Sequence, residues 1–287
     1  MKVLVTGAGG QLGTDVVELF RSSGHEVLGC DRNKLNITDQ AQCNQVIETF
    51  HPDAIIHCAA YTAVDAAETD VDGAYHINAT GTRNIAVAAE KVGAKLVYIS
   101  TDYVFNGAST TAYREYDNTD PQSVYGQSKR AGEILTQSLN SRYFIVRTSW
   151  VYGAHGNNFV KTMLRLGQEK PELQVVNDQK GSPTYTVHLA KFLLELVDTE
   201  SYGIYHASGT GECTWYEFTQ AILKEAEETL ALKVTAKLVP CGTDQFPRQA
   251  PRPTNSVMDH VSIRTNGLTD FPHWKDALLE FMLNSIK

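Results

Sequence analysis

Short apolar runs alternate along the first half of the chain with stretches whose apolar residues recur every three or four positions. Lys2–Thr6 is apolar and β-branched, and from Gln11 to about Ser22 the residues Leu12, Val16, Leu19 and Phe20 fall at helical spacing. The alternation continues with a strand at Glu26–Cys30, a helix over 41–50, a buried strand over 53–58, a long helix over 71–92 and a strand over 95–100. A helix carrying Tyr125 and Lys129 and a strand at Tyr143–Thr148 complete the series. Strands separated by helices predict parallel β-α-β units and a doubly wound α/β sheet, whose strand C-termini open on one ligand crevice. The segments richest in chemistry all follow strand ends: the glycines from Gly7 to Gly13, Asp31, Ala59-Ala-Tyr-Thr62, Ser100-Thr-Asp-Tyr103 and Thr148-Ser-Trp150.

Past residue 152 the rhythm changes. The pattern predicts an amphipathic helix over 157–168, a short strand over 174–176 and a polar loop over 177–184. Helices follow at Thr186–Val197, over 214–226 and at Trp274–Ser285, with a proline- and arginine-rich stretch over 246–253 before the last. Residues 1–152 thus read as a Rossmann-type NAD(P)-binding domain. Residues 153–287 read as a smaller, predominantly substrate-binding lobe, some of whose segments return to the sheet.

Composition narrows the partners. A chain of 287 residues, 42% hydrophobic and 20% charged, has the make-up of a globular protein, and its net charge of −8 argues against nucleic acid or an anionic membrane. The chain runs from Met-Lys-Val-Leu-Val-Thr straight into structure, without a signal-peptide pattern or an apolar run of membrane-spanning length, so a cytoplasmic location is expected. Five cysteines without C-x-x-C spacing read as thiols in a reducing compartment.

Two features carry candidate chemistry. Gly7, Gly10 and Gly13 lie between a strand and a helix, the arrangement that aims a helix N-terminus at a phosphate, although G-x-x-G-x-x-G departs from the commoner G-x-G-x-x-G. Asp31, 18 residues past Gly13, stands where an acid would bond the adenosine ribose; Arg32 beside it suits a 2′-phosphate instead, so NADH and NADPH both stay open. In Ser123-Val-Tyr125-Gly-Gln-Ser-Lys129 a phenol and an ammonium share one helix face, and nearby positive charge is expected to lower the tyrosine pKa. That spacing alone is weak evidence; its neighbours give it weight.

Several strings together carry a resemblance. They are Val5-Thr-Gly-Ala-Gly-Gly-Gln-Leu-Gly13, Ser100-Thr-Asp-Tyr-Val-Phe105, Val124-Tyr-Gly-Gln-Ser-Lys129, Arg147-Thr-Ser-Trp-Val-Tyr152 and Arg252-Pro253 with Asn255-Ser256. Through them the chain resembles the extended short-chain dehydrogenase/reductase family over nearly its whole length, and within it the dTDP-4-dehydrorhamnose reductases. The resemblance implies reduction of the C4 ketone of dTDP-4-dehydro-L-rhamnose by NADPH or NADH. Tyr125 would be the general acid, Lys129 the residue that holds the nicotinamide ribose, and Thr101 a hydrogen-bond donor to the ketone oxygen. Gly7, Gly10, Gln11, Leu12, Gly13, Asp31, Arg32, Asn36, Ala59, Ala60, Tyr61 and Ser100 would meet the cofactor. Thr62, Val64, Asp102, Tyr103, Trp150, Asn157 and Arg252 would meet the dTDP-sugar, with Trp150 packed on the sugar ring; a plain core tryptophan is the alternative.

The departures matter too. Tyr103 replaces the glutamate of the dehydratases' Thr-Asp-Glu, which disfavours elimination chemistry. Asn36 stands where relatives often carry an aspartate that seats the adenine. Asp15 matches one place of a magnesium-linked dimer seen in some relatives, but Val187 stands where a further glutamate belongs, so no structural metal is expected. A homodimer is one assembly the resemblance implies, a monomer the other. The rival functions are an epimerase or dehydratase that retains its NAD, and a non-catalytic subunit resembling the β subunit of methionine adenosyltransferase.

Overall fold

The computed structural model describes residues 1–286. In chain order the first half comprises β1 (Lys2–Thr6), α1 (Gln11–Ser22), β2 (Glu26–Cys30), α2 (Gln40–Phe50) and β3 (Ala54–His57). The short helices α3 (Val64–Ala67) and α4 (Val71–Tyr75) lead through a π-helical turn (His76–Gly81) into α5 (Thr82–Val92). Then come β4 (Lys95–Thr101), α6 (Val124–Leu139) and β5 (Tyr143–Thr148). The helix expected over 71–92 therefore carries a π-turn in its middle. Such turns mark functional sites, and this one places Asn78 beneath the crevice.

The second half comprises β6 (Val151–Tyr152), α7 (Phe159–Glu169), β7 (Glu172–Val176), β8 (Lys180–Gly181), β9 (Thr184–Tyr185) and α8 (Thr186–Val197). It continues with β10 (Gly203–His206), β11 (Cys213–Thr214), α9 (Trp215–Glu228), β12 (Lys237–Cys241), α10 (Val261–Thr265) and α11 (Trp274–Ser285). The loop expected over 177–184 holds β8 and the start of β9, which pair with β11 and β6. β10 and β12 are strands the periodicity did not reveal: β10 is four residues beginning with glycine, and β12 contains Pro240, a residue that argues against a strand.

Six strands form one parallel sheet in the order β10-β5-β4-β3-β1-β2. From β1 the chain runs first outward to β2, then back across to β3, so the order reverses at β1 and opens a crevice at its carboxyl end. Alternation along the strands buries both faces. Val3, Val5, Ile56, Val97 and Val146 pack with Val16 and Phe20 of α1 and Leu189, Leu193 and Leu196 of α8. Leu4, Ile55 and Leu96 pack with Ile47 of α2 and Ile85 of α5. The chain thus returns to the sheet after residue 152 through α8 and β10. A separate core of Tyr152, Val160, Phe218, Trp274 and Phe281 builds the second lobe against the mouth of the crevice.

Candidate active site

The crevice at the β1 switch point is a cavity of about 1300 Å³. Its cofactor end is shaped by backbone. Gly7 adopts φ +64°, open to glycine at little cost, and a Cβ there would sit 2.7 Å from the Ala59 nitrogen. A side chain at Gly13 would strike the Gly7 carbonyl. α1 starts at Gly10 with no side-chain cap, so its first-turn amides face the cavity free to bind a phosphate. Asp31 and Arg32 line the same end, as do Leu12, Gln11 and Asn36. One Asp31 oxygen already accepts from the Asn33 and Lys34 amides, which fixes the carboxylate at the rim. The uncapped helix, the glycine turn and the cavity's size fit a dinucleotide.

The floor beneath this turn is a buried polar relay. The Thr82 hydroxyl donates to the Asn78 carbonyl (2.7 Å), so it accepts from His57 Nε2 (3.1 Å), and His57 Nδ1 accepts from the Thr6 hydroxyl (2.7 Å). Burial, with Lys129 adding, drives the His57 pKa down to about 3, so the ring is neutral and this tautomer is fixed. Asn78 holds the Ala59–Thr62 segment by exchanging two hydrogen bonds with the Tyr61 backbone (2.8 and 3.0 Å) and reaches Ser128 on α6 (3.0 Å). His57 and Asn78 lie too deep to be read as site residues from the sequence; their partners are distant in the chain.

At the substrate end α6 begins at Ser123, whose hydroxyl accepts from the Gly126 amide. The helix then presents Tyr125 and Lys129 on one face, as the spacing predicted, both lining the cavity with Thr101 at the end of β4. The electrostatics differ from expectation. Burial pushes the Tyr125 phenol up to about 12, the adjacent Thr101 hydroxyl only partly opposing it, and the lysine does not depress it. Lys129 Nζ instead donates to the Ile99 carbonyl (2.6 Å) and lies 4.1 Å from the Tyr98 ring centroid. Desolvation outweighs charge pairing here because both groups sit away from bulk water.

Burial likewise pulls Lys129 down to about 7 from 10.5, with Glu133 opposing. Between those values the unfolded chain keeps a proton that the folded protein has lost, so this residue makes the ligand-free protein more stable as pH rises through that window. The stability of the wild type relative to Lys129→Met, from urea unfolding between about pH 7 and 9, therefore rises with pH. A flat difference would contradict the depressed lysine.

Three residues are placed otherwise than expected. Ser100 borders the cavity, but its hydroxyl donates to Glu133 Oε1 (2.6 Å) and is not offered to a cofactor. Tyr61 is held by its backbone and is absent from the cavity wall, whereas Ala59, Ala60, Thr62 and Val64 line it. Arg252 pairs with Asp65 (2.8 Å) and borders a smaller adjoining pocket, reached through Tyr103. Asp102, Tyr103 and Asn157 line the main cavity. Thr101 Oγ1 donates to Asp102 Oδ1 (2.9 Å), while Asp102 Oδ2 is buried without a partner, and burial raises that carboxyl to about 6.

Trp150 also lines the cavity, in the left-handed region at φ +47°, a strain of about 1–3 kcal/mol that the surrounding contacts must hold. Its indole stacks on Trp215 with centroids 3.5 Å apart and planes at 7°, and a Cβ at Gly181 would collide with it. One indole face is thus already covered, and the pair of indoles together forms part of the cavity wall. Trp215, the first residue of α9, lines the cavity too. In the sequence only the Thr214–Glu217 capping box around it is visible, a signal for a helix start and not for a site.

Asp15, Glu18 and His155 bring ligand-type atoms within 4.8 Å of one another, outside the cavity and without Val187; Asp15 and His155 lie 3.4 Å apart as a pair.

The same architecture recurs in known proteins. The chain is 45% identical to the spore coat polysaccharide biosynthesis protein SpsK of Bacillus subtilis, over 98% of this chain and 96% of that one. It is 40% identical to the dTDP-4-dehydrorhamnose reductase of Aggregatibacter actinomycetemcomitans, over 96% and 97%. The crystal structure of dTDP-4-dehydrorhamnose reductase from Bacillus anthracis in complex with NADP superposes with a TM-score of 0.94 at 46% identity, covering 98% of each chain. A family model described as RmlD substrate binding domain matches residues 1–286, and the chain belongs to that family.

Proposed function

We propose that the protein reduces the C4 ketone of dTDP-4-dehydro-L-rhamnose to dTDP-L-rhamnose, with NADPH or NADH as donor, at the last step of dTDP-rhamnose biosynthesis. The observation that carries this reading is a protonated phenol, Tyr125, at the far end of the cavity that begins at the glycine turn, with Thr101 and Lys129 beside it. A tyrosine held at about 12 is an acid at neutral pH, and reduction needs an acid. The bound cofactor supplies one hydride to C4. Tyr125 gives its proton to the ketone oxygen as charge develops there, and Thr101 turns its hydroxyl from Asp102 to donate to the same oxygen. Lys129 holds the nicotinamide ribose, fixed beside Tyr125 by its bond to the Ile99 carbonyl. The uncapped start of α1 with Gly7, Gly10 and Gly13 holds the pyrophosphate, and Trp150 with Trp215 walls the sugar.

Tyr103 fills the position from which a dehydratase glutamate would act; its ring stands edge-on to Tyr125 at 5.5 Å and offers no carboxylate. The enzyme works in the cytoplasm, and a homodimer is the assembly we favour. Among the described residues no helix is long and apolar enough to cross a membrane.

Incubation of the purified protein with 4-keto deoxysugar nucleotides tests the reading. Stoichiometric oxidation of NADPH or NADH is expected only when the keto sugar is present. Turnover without added dinucleotide would identify a cofactor-retaining epimerase instead.

A further inference from the structure

The steps above leave one buried carboxyl of the crevice without a part in the reaction. Asp102 lines the cavity next to Thr101 and is only 2% exposed. Its Oδ1 accepts from the Thr101 hydroxyl (2.9 Å), while Oδ2 is buried with no partner. No cation compensates it. Among the described residues Asp102 joins no salt bridge; Lys129 of α6 is turned to the Ile99 carbonyl, and Arg252 to Asp65. The groups that face the carboxyl are the Tyr103 phenol from its own turn, the Tyr125 phenol from α6, and the Ser256 hydroxyl, whose hydrogen goes to the Lys180 carbonyl (3.3 Å). A buried anion with so few donors is poorly solvated, which favours the neutral form and raises this carboxyl from 3.8 to about 6.

The Thr101 hydroxyl has one hydrogen and two lone pairs. The fold commits one lone pair, because Thr101 caps the 3-10 turn Asp102–Val104 and accepts from the Tyr103 amide (3.2 Å). The hydrogen and the other lone pair are shared between Asp102 and the Tyr125 phenol, which also meets this hydroxyl. An ionised Asp102 can only accept, so it takes the Thr101 hydrogen, and the remaining lone pair of Thr101 draws the Tyr125 hydrogen. Neither hydrogen then points at a ketone. A protonated Asp102 instead gives its own hydrogen to that lone pair. Both lone pairs are then filled, the Thr101 hydrogen is released, and the Tyr125 phenol finds no acceptor on Thr101. Two donors are left for the two lone pairs of the ketone oxygen. We propose that Asp102 is a positioning residue whose proton turns the Thr101 and Tyr125 hydrogens together towards the substrate ketone, and whose loss turns both away. The switch rests on the reductase reading above and acts through Thr101.

Single-turnover reduction of the keto sugar nucleotide with NADPH in excess, followed from about pH 6 to about 9, tests the switch. The neutral carboxyl is the active form, so the rate falls as pH rises through the Asp102 pKa, which bound ligands push further up by excluding water. Asp102→Asn cannot ionise, and Thr101→Val has no hydrogen to turn. The ratio of the rate at the acid end to that at the alkaline end is therefore about tenfold or more larger in the wild type than in either variant. Whatever Lys129 adds to that ratio is common to the three proteins and cancels. A carboxyl with a structural role alone would lower the rate equally at every pH. The ligand-free protein supplies a second readout. Relative to Asp102→Asn, the wild type loses stability in urea as pH rises from 3.8 to about 6, because the folded protein keeps a proton there that the unfolded chain has given up. A flat stability difference, or rate ratios within about twofold of one another, would overturn the switch and leave the reductase reading in place. No reduction by the wild type at any pH, with the stability difference as expected, would remove the reductase reading and the switch with it.

Discussion

Replacing Tyr125 with phenylalanine lowers turnover about 10²-fold or more and leaves cofactor affinity nearly unchanged. The substitution removes one oxygen and one proton. The phenyl ring keeps its edge-on contact with Tyr103 and its place on a capped helix, so Lys129 stays where it is. What is lost is the phenol that burial holds as an acid well above neutral pH on the same helix face as Lys129, facing Thr101. Thr101 by itself can orient a ketone oxygen but has no acidity to offer, and Lys129, pulled down to about 7 and donating to the Ile99 carbonyl, is the nearest substitute. Residual turnover carried by Lys129 in Tyr125→Phe should fall as pH rises through about 7, whereas turnover carried by the Tyr103 phenol should not. Single-turnover reduction with NADPH in excess separates this chemical loss from any change in binding. Near-normal turnover would take Tyr125 out of the mechanism.

What could be read from the sequence follows from which interactions are local. The strand, glycine turn and helix at the start of the chain, the pairing of Tyr125 with Lys129, and the return of chemistry-bearing segments to strand ends are all encoded within short windows. Periodicity and turn residues report those windows directly. Proton affinities are another matter. The pair was expected to lower the tyrosine, yet burial by β4, the π-turn and the cavity walls raises it, and burial is a property of the assembled fold. The resemblance implies that Ser100 meets the cofactor; it borders the cavity, and its hydroxyl donates to Glu133, 33 residues on. Trp215 stacks on a residue 65 positions earlier, and Asp65 meets Arg252 across 187. No local pattern marks such pairs. Resemblance located Arg252 but could not say that a carboxylate already occupies it.

Glu133→Ala is expected to destabilise the protein by about 3–5 kcal/mol, the largest single loss outside the apolar core. Glu133 is fully buried and makes four charge-assisted or hydroxyl contacts. Oε1 accepts from Arg147 Nε (2.9 Å) and Ser100 Oγ (2.6 Å); Oε2 accepts from Arg147 Nη2 (2.9 Å) and Arg130 Nη1 (3.2 Å). Arg147 is only 2% exposed and lies 5.1 Å from the Phe105 ring centroid, so removal of the carboxylate strands a guanidinium away from water. The attraction within the pair does not by itself explain its presence, because two buried charges pay desolvation that their contact barely repays. Glu133→Leu combined with Arg147→Met should accordingly recover most of the stability lost in the single variant. It should not recover activity. Glu133 sits one turn beyond Lys129 on α6, favours the charged lysine and pins Ser100 beside Thr101 at the end of β4. In the double variant, stability near wild type with kcat still depressed, and the pH dependence of kcat shifted to lower pH, would assign the pair to positioning the acid–base groups. Full recovery of both stability and kcat would make it a structural pair alone, and a single-variant loss below about 1 kcal/mol in urea unfolding would deny it even that role.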